Sequence, residues 1–270
     1  MNDGALDIAG LRAALRTRRF GGIHFVAETT STNDEAWKRL SISNTDGCVI
    51  FTDYQSAGRG RLGRTWAAPR GAGLLMSILL IEEPGDPNPA ELCLIPAVAA
   101  CAAVAAVTDV RPTIHWPNDL YVGPRKLGGI LVETRRPASS SVTSATVIGI
   151  GINCLQHPGH FPPELRDRAT SLEMESHHAI DRTRLAEALL HRLDHWLARP
   201  RAWNYEELRA AWTARAEPPG RQVTLRSGDR TFRGEIIDID PAAALVVRLD
   251  DGTVRAFPAA ETTVLPPQDA

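Results

Sequence analysis

Residues 55 to 66 place Arg59, Arg61 and Arg64 among Gly58, Gly60 and Gly63, with Gln55 at one end and Trp66 at the other. Glycine lets a backbone bend and approach a ligand closely, and arginine supplies forked donors that match phosphate or carboxylate. A cationic, pliable loop of this composition is suited to holding an anion. A solvated basic turn accounts for one or two arginines; three, flanked by Gln55 and Trp66, point to a site. Gly58, Gly60 and Gly63 also satisfy the dinucleotide-binding spacing, with Glu82 where a ribose-binding acid is expected. The context rejects that reading. Such a fingerprint must open a helix, whereas Pro69, Gly71 and Gly73 follow here, and then an apolar run from 74 to 81 of strand length.

Other segments concentrate polar groups at the ends of elements. Ser31, Thr32 and Asn33 lie at a helix start, where free backbone N–H groups receive an acceptor or an anion; capping accounts for Thr32 and Ser31 better than for Asn33. Trp116-Pro117-Asn118-Asp119 is followed, after a Gly123-Pro124 turn, by Lys126-Leu127-Gly128-Gly129. Asp119 and Lys126 can meet at neighbouring strand ends. They form either a plain salt bridge, which contributes little at a surface, or a pair in which Asp119 orients Lys126 toward an anionic ligand. Arg125 is expected to be solvated, because adjacent strand residues point to opposite faces. Gly149 and Gly151, just before Asn153, interrupt a further strand; close approach of another group and tight packing explain them equally.

The elements that must position these residues alternate between helix and strand. Ile8, Leu11 and Leu15 give a helix over 6–16, and Thr32 with Glu35 three positions later forms a capping box for a second. Short β-prone runs occupy 48–52, 74–81, 113–116, 130–133 and 147–152. Helices are expected over 92–107, over 182–197 with Asp181 as cap and Leu185, Leu189, Leu193 and Trp196 as a core stripe, and from Asn204 to about Arg215. Glu217-Pro218-Pro219-Gly220 breaks the chain. Beyond it, strands at 222–225, 231–239, 245–249 and 253–257 predict a small separate barrel that leans on the larger domain, since about fifty residues make a marginal core.

Composition narrows the function. Thirty basic against 32 acidic residues leave a formal charge of -2, so no broad basic field exists for nonspecific DNA binding. The apolar run 92–107 is shorter than the roughly 20 residues a membrane span needs. Asp3 and Asp7 with no apolar signal core point to the cytoplasm. Cys48, Cys93, Cys101 and Cys154 lack paired CxxC spacing and are read as core thiols. His191 and His195 lie one helical turn apart without the metalloprotease glutamate and are read as a solvated face; His157, His160, His177 and His178 are read as loop residues.

Taken together, residues 29–33, 54–66, 116–133 and 148–153 resemble, in order and spacing, the catalytic domain of biotin protein ligases, the biotin-[acetyl-CoA-carboxylase] ligases. The resemblance runs from about residue 20 to the end if the small barrel is the family's SH3-like C-terminal module. Lipoate ligases share the fold and not this combination of motifs. The resemblance implies an α+β fold of the class II aminoacyl-tRNA synthetase/biotin protein ligase type. A mixed sheet with helices would form a catalytic domain over 1–217 and the SH3-like β-barrel would occupy 218–270. It implies that ATP and magnesium activate biotin as biotinyl-5'-adenylate, and that biotin then passes to one lysine of a biotin carboxyl carrier protein.

By the same resemblance, Ser31, Thr32, Asn33 and Gln55 face the ureido ring, and Gly58, Arg59, Gly60, Arg61, Lys126 and Gly129 complete the biotin site. Arg61, Arg64, Trp66, Asn118, Lys126 and Asn153 serve ATP and the adenylate. Lys126, Arg59 and Asp119 are the expected catalytic group, with Lys126 electrostatic and not covalent; no metal ligands are assigned. The loop 58–66 is expected to be mobile without ligand and to order over the adenylate. Too few residues precede Ser31 for a DNA-binding winged helix, so no DNA partner is expected; homodimerisation stays open. A lipoate-protein ligase and a noncatalytic carrier-binding protein are the alternatives.

Overall fold

The computed structural model describes residues 5–17, 19–42, 45–81, 89–136, 144–198 and 205–265. Asp3, Glu82 and Asn204 lie outside these described residues. Seven strands make the main sheet: β1 (Gly22–Thr29), β2 (Cys48–Gln55), β3 (Gly73–Ile81), β4 (Thr113–His115), β5 (Asp119–Val122), β6 (Arg125–Arg135) and β7 (Ala145–Asn153), in the order β1-β2-β3-β7-β6-β5-β4. Only β1 and β2 run parallel; every other neighbouring pair is antiparallel. β3, whose sequence is an unbroken apolar run but for Ser77, sits between β2 and β7 and is buried along nearly its whole length.

The helices are α1 (Ile8–Ala14), α2 (Thr32–Arg39), α3 (Pro89–Val107), α4 (Leu172–Glu175), α5 (Arg182–Leu197) and α6 (Tyr205–Thr213). α3 and α5 cover one face of the sheet, and the expected stripe of Leu185, Leu189, Leu193 and Trp196 is buried there. On the other face α2 seals a smaller cluster of Ala36 and Trp37 against Cys48, Ile50, Leu79, Ala145 and Val147. Because side chains alternate along a strand, the same face continues past α2 through Ser77 of β3, Gly149 and Gly151 of β7 and Gly129 of β6, which are register neighbours. That stretch is floored mainly by glycine, with Ser77 and Gly149 buried beneath the first turn of α2.

The capping box expected from Thr32 and Glu35 does not form, and the cap falls one residue earlier. Ser31 is the N-cap, its hydroxyl accepting from the Asn33 N–H, and Thr32 is the first helical residue. Glu35 instead accepts from Thr29 and Lys38. Asp181 does cap α5, and Asp7 caps α1.

At the start of α5, Arg182 is 2% exposed, donating to Asp53 at 3.2 Å and to the Gly73 carbonyl at 3.0 Å. It ties α5 to the ends of β2 and β3. Breaking a buried ion pair from one side leaves the other charge poorly solvated, so Arg182→Ala is expected to cost about 3 kcal/mol in urea unfolding; a cost below about 1 kcal/mol would contradict this role.

Beyond Gly220 the chain forms a five-stranded antiparallel sheet from β8 (Gln222–Ser227), β9 (Arg230–Asp240), β10 (Ala244–Leu249), β11 (Val254–Pro258) and β12 (Thr262–Leu265), ordered β11-β10-β9-β8-β12. This is the SH3-like element expected, with β12 added. Val223, Leu225, Ile236, Leu245, Val247 and Phe257 belong to the same contiguous apolar core as the main sheet and its helices. The small sheet therefore does lean on the larger body.

Candidate active site

The Gly-Arg loop leaves the end of β2, turns through a 3-10 turn at Arg61–Gly63 and returns antiparallel, with an isolated bridge between Arg59 and Thr65. Gly63 takes φ +73°, the left-handed region that glycine tolerates, and Leu62 takes φ 54° at the exposed tip. Gly58 is needed for a different reason: a Cβ there would stand 2.4 Å from the Trp66 carbonyl oxygen. Trp66 then folds back onto the sheet. A Cβ on Gly151 would come within 2.7 Å of its indole, and one on Gly129 within 3.5 Å. Close approach, and not strand packing alone, explains these glycines. The buried Trp66 Nε1 has no hydrogen-bond partner among the described residues.

Lys126 and Asp119 meet as the sequence suggests. β5 and β6 are neighbours, and the Lys126 ammonium lies 2.6 Å from the Asp119 carboxylate and 5.8 Å from the centre of the Trp66 ring. Lys126 is further held through its backbone, which exchanges hydrogen bonds with Arg168 and Thr170 at 2.8 and 2.9 Å. Asn118 stitches β5 to β6 by donating to the Ile130 carbonyl, and its Oδ1 lies 3.4 Å from Arg61. Arg125 is not simply solvated: it pairs with Glu175 at 2.7 Å, a partner fifty positions away that no local pattern announces.

The three loop arginines have different environments. Arg59, expected in the biotin site and the catalytic group, gives its guanidinium to both Asp34 oxygens at 2.8 and 2.9 Å and lies 3.6 Å from Glu133. Through this contact Arg59 holds the Asp34 carboxyl below its usual range. Arg61 donates to the Ala259 carbonyl in the turn between β11 and β12, joining the loop to the small sheet, and burial lowers its affinity for a proton. Arg64 is exposed at the loop base. Asn153 is 5% exposed, donating to the Thr170 carbonyl and accepting from Gln156, both at 2.9 Å. It braces the strand that flanks Lys126.

Ser31, Thr32, Asn33 and Gln55 come together beside the glycine floor. The Thr32 N–H and hydroxyl lie 2.8 and 3.1 Å from Gln55 Oε1. Asn33 reaches Ser77 at 2.6 Å and Glu133 at 2.7 Å. A Cβ on Gly149 would stand 2.4 Å from Asn33 Oδ1. Ser77, Glu133 and Asp34 join the site without having been expected there. The available signal for Ser77 is that it is the lone hydroxyl in an apolar strand.

Next to Asp119 in register is His115, whose ring stacks on Tyr121 at 3.9 Å. Burial, then the Arg221 guanidinium, pushes His115 down from 6.5 to about 4, against the pull of Asp119. Glu217 lies 3.4 Å from His115 but is committed to Arg221 at 3.0 Å, so the imidazole beside it stays neutral. With a folded value near 4 and an ordinary value of 6.5, the unfolded chain takes up this proton first as pH falls. The stability is therefore fully present above pH 6.5 and is lost toward pH 4. The expected loss is about 2 kcal/mol, allowing for partial exposure. Urea unfolding at both pH values should show a smaller pH difference in His115→Gln; an equal difference would remove His115 from this account.

Among the described residues, no three His, Cys, Asp or Glu side chains converge on a metal position, and no helix is long and apolar enough to cross a membrane. A family model described as "Biotin/lipoate A/B protein ligase family" matches residues 25–153, and a second, "Biotin protein ligase C terminal domain", matches 220–261. The biotin-[acetyl-CoA-carboxylase] ligase of Paracoccus denitrificans is 31% identical over 87% of this chain and 98% of its own length. That of Mycobacterium tuberculosis is 33% identical over 85% and 84%. A biotin protein ligase from Aquifex aeolicus, solved in complex with biotin and ATP, superposes with a TM-score of 0.76 at 25% identity, covering 92% of this chain and 100% of that one.

Proposed function

This chain belongs to the biotin protein ligases, the biotin-[acetyl-CoA-carboxylase] ligases, and from that premise we propose that it converts biotin and ATP to biotinyl-5'-adenylate and pyrophosphate. It then passes biotin to a specific lysine of a biotin carboxyl carrier protein, releasing AMP. The observation that carries this reading is the convergence of Lys126, paired with Asp119, and the Gly-Arg loop on a glycine-floored face that ends at Ser31, Thr32, Asn33 and Gln55.

The chemistry requires this arrangement. A carboxylate must attack the α-phosphate of an anionic triphosphate, and two like charges at 4 Å repel by about 4 kcal/mol at an effective dielectric of 20. Lys126, Arg61 and Arg64 are assigned to neutralise that charge. Arg59, which already serves two carboxylates, is assigned to hold the loop base against α2. Asp119 keeps the Lys126 ammonium in place, and the unpartnered Trp66 Nε1 is free to donate to a bound ligand. Gln55, Ser31, Thr32 and Asn33 take the ureido ring. Magnesium would enter with the triphosphate and would supply further positive charge at its phosphates, and no residues are assigned to hold it.

The catalytic domain is assigned to 1–217 and the SH3-like domain to 218–270, with Pro218-Pro219-Gly220 as the junction, and the cytoplasm is the proposed compartment. The reaction needs no DNA partner, and a formal charge of -2 offers none a broad cationic surface. Loop 58–66 is expected to open without ligand, so proteolysis there should slow when biotin and ATP are added; an unchanged rate would contradict its role as a cover. The test of the whole assignment is mass gain on a biotin carrier domain with ATP, magnesium and either biotin or lipoate. One biotin adduct that disappears with the acceptor lysine is the expected result; lipoate incorporation in its place would overturn it.

A further inference from the structure

Behind the proposed ureido site runs a chain of short hydrogen bonds that begins at a carboxylate. Asn33 Nδ2 donates to Glu133 Oε2 at 2.7 Å, Ser77 Oγ lies 2.6 Å from Asn33 Oδ1, and Thr32 Oγ1 lies 2.7 Å from Ser77 Oγ. Thr32, Asn33 and Ser77 are all buried, so no bulk water can relieve a wrong orientation. Each gap must contain one hydrogen, and each hydroxyl has only one to give.

Ionised Glu133 accepts and cannot donate, which forces the Asn33 amide nitrogen toward it and the amide oxygen toward Ser77. Ser77 must then spend its hydrogen on Asn33, and it can only accept from Thr32. The Thr32 hydroxyl hydrogen is thereby directed away from Gln55. Two oxygens, Thr32 Oγ1 and Gln55 Oε1, are left 3.1 Å apart with no hydroxyl hydrogen between them, the latter still receiving the Thr32 N–H at 2.8 Å. A ligand N–H is what this pair lacks.

We propose that Glu133 and Ser77 are specificity-determining positioning residues, which orient the Thr32 hydroxyl as an acceptor for an N–H of a cyclic urea. This rests on the biotin-activating reading and deepens it, since it says how the site selects an acid bearing a ureido group over an acid with no N–H to donate. Neither residue touches the ligand. Their effect comes through hydrogen direction, in the low-dielectric setting where an unpaired polar group is costly.

The test couples the protein to the ligand. Biotin binding to the full chain, without ATP, is measured by calorimetry for the wild type, Ser77→Ala and Glu133→Gln. It is repeated with the two cyclic carbamate analogues in which one or the other ureido N–H is replaced by ring oxygen. Ser77→Ala is expected to weaken biotin about tenfold. It should weaken one of the two carbamates less than about twofold, because that ligand has already lost the hydrogen bond in question. Glu133→Gln, which keeps a group able to accept from Asn33 while removing the charge that fixes its direction, should show the same pattern at smaller size, and it serves if Ser77→Ala does not fold. Equal losses with biotin and both carbamates would mean a merely structural role and overturn the proposal, as would no loss. Failure of the wild type to release pyrophosphate with biotin and ATP would instead overturn the parent reading, and this one with it.

Discussion

Lys126→Ala is expected to lower biotin-dependent pyrophosphate release by about a thousandfold while leaving the protein folded. The ammonium is held at the proposed reaction centre, 2.6 Å from Asp119 and facing Trp66. Removing one positive charge near a developing anion forfeits about 4 kcal/mol at an effective dielectric of 20. The fold should survive, because the Lys126 backbone bonds to Arg168 and Thr170 do not depend on the side chain, and Asp119 retains access to solvent. Steady-state release alongside a urea unfolding curve separates the two effects. Turnover within tenfold of wild type in a folded variant would refute the assignment of Lys126.

Gly149→Ala is expected to weaken biotin binding about a hundredfold and to cost about 2 kcal/mol of stability. Its Cβ would stand 2.4 Å from Asn33 Oδ1, and neither side can readily give way. Gly149 lies in the middle of the sheet between β3 and β6, and Asn33 is 2% exposed and held by Ser77 and Glu133. The asparagine must abandon both bonds, and the Thr32 side of the site loses its support. Gly159→Ala, where an added Cβ meets nothing within 4 Å, is the control and should change neither quantity. Isothermal titration with biotin and urea unfolding measure the pair; wild-type affinity in Gly149→Ala would show that Asn33 is not held as described.

Much of this was legible in the chain because the signals were local. The apolar runs that became β3 and β7, the stripe of α5 and the glycines that admit Trp66 and Asn33 all declare themselves within a few residues. β1 was not anticipated. It is an edge strand with one sheet neighbour and exposed Phe25, Ala27 and Glu28, so it lacks the strong apolar pattern of a central strand. The helix cap fell one residue from its expected place because Ser31 and Thr32 are both competent caps. Gln55, arriving from β2, captures the Thr32 N–H, and Ser31 is left as the cap.

The arginines show the limit more sharply. Their composition marks a site, but Arg59 is committed to Asp34 and Glu133, Arg125 to Glu175 and Arg61 to Ala259, partners set by tertiary packing and not by spacing. Glu133 was the least visible of all. It follows a short apolar run in β6 like many surface carboxylates, and only the fold brings Asn33, Trp37 and Arg59 around it.

The most direct test of biotin activation is pyrophosphate release by the purified full chain with ATP and magnesium, with and without biotin and with no carrier protein present. A biotin-dependent burst of about one equivalent per chain is expected as the adenylate accumulates in the site, with no such burst on lipoate. Pyrophosphate released equally without biotin, or not at all, would contradict it.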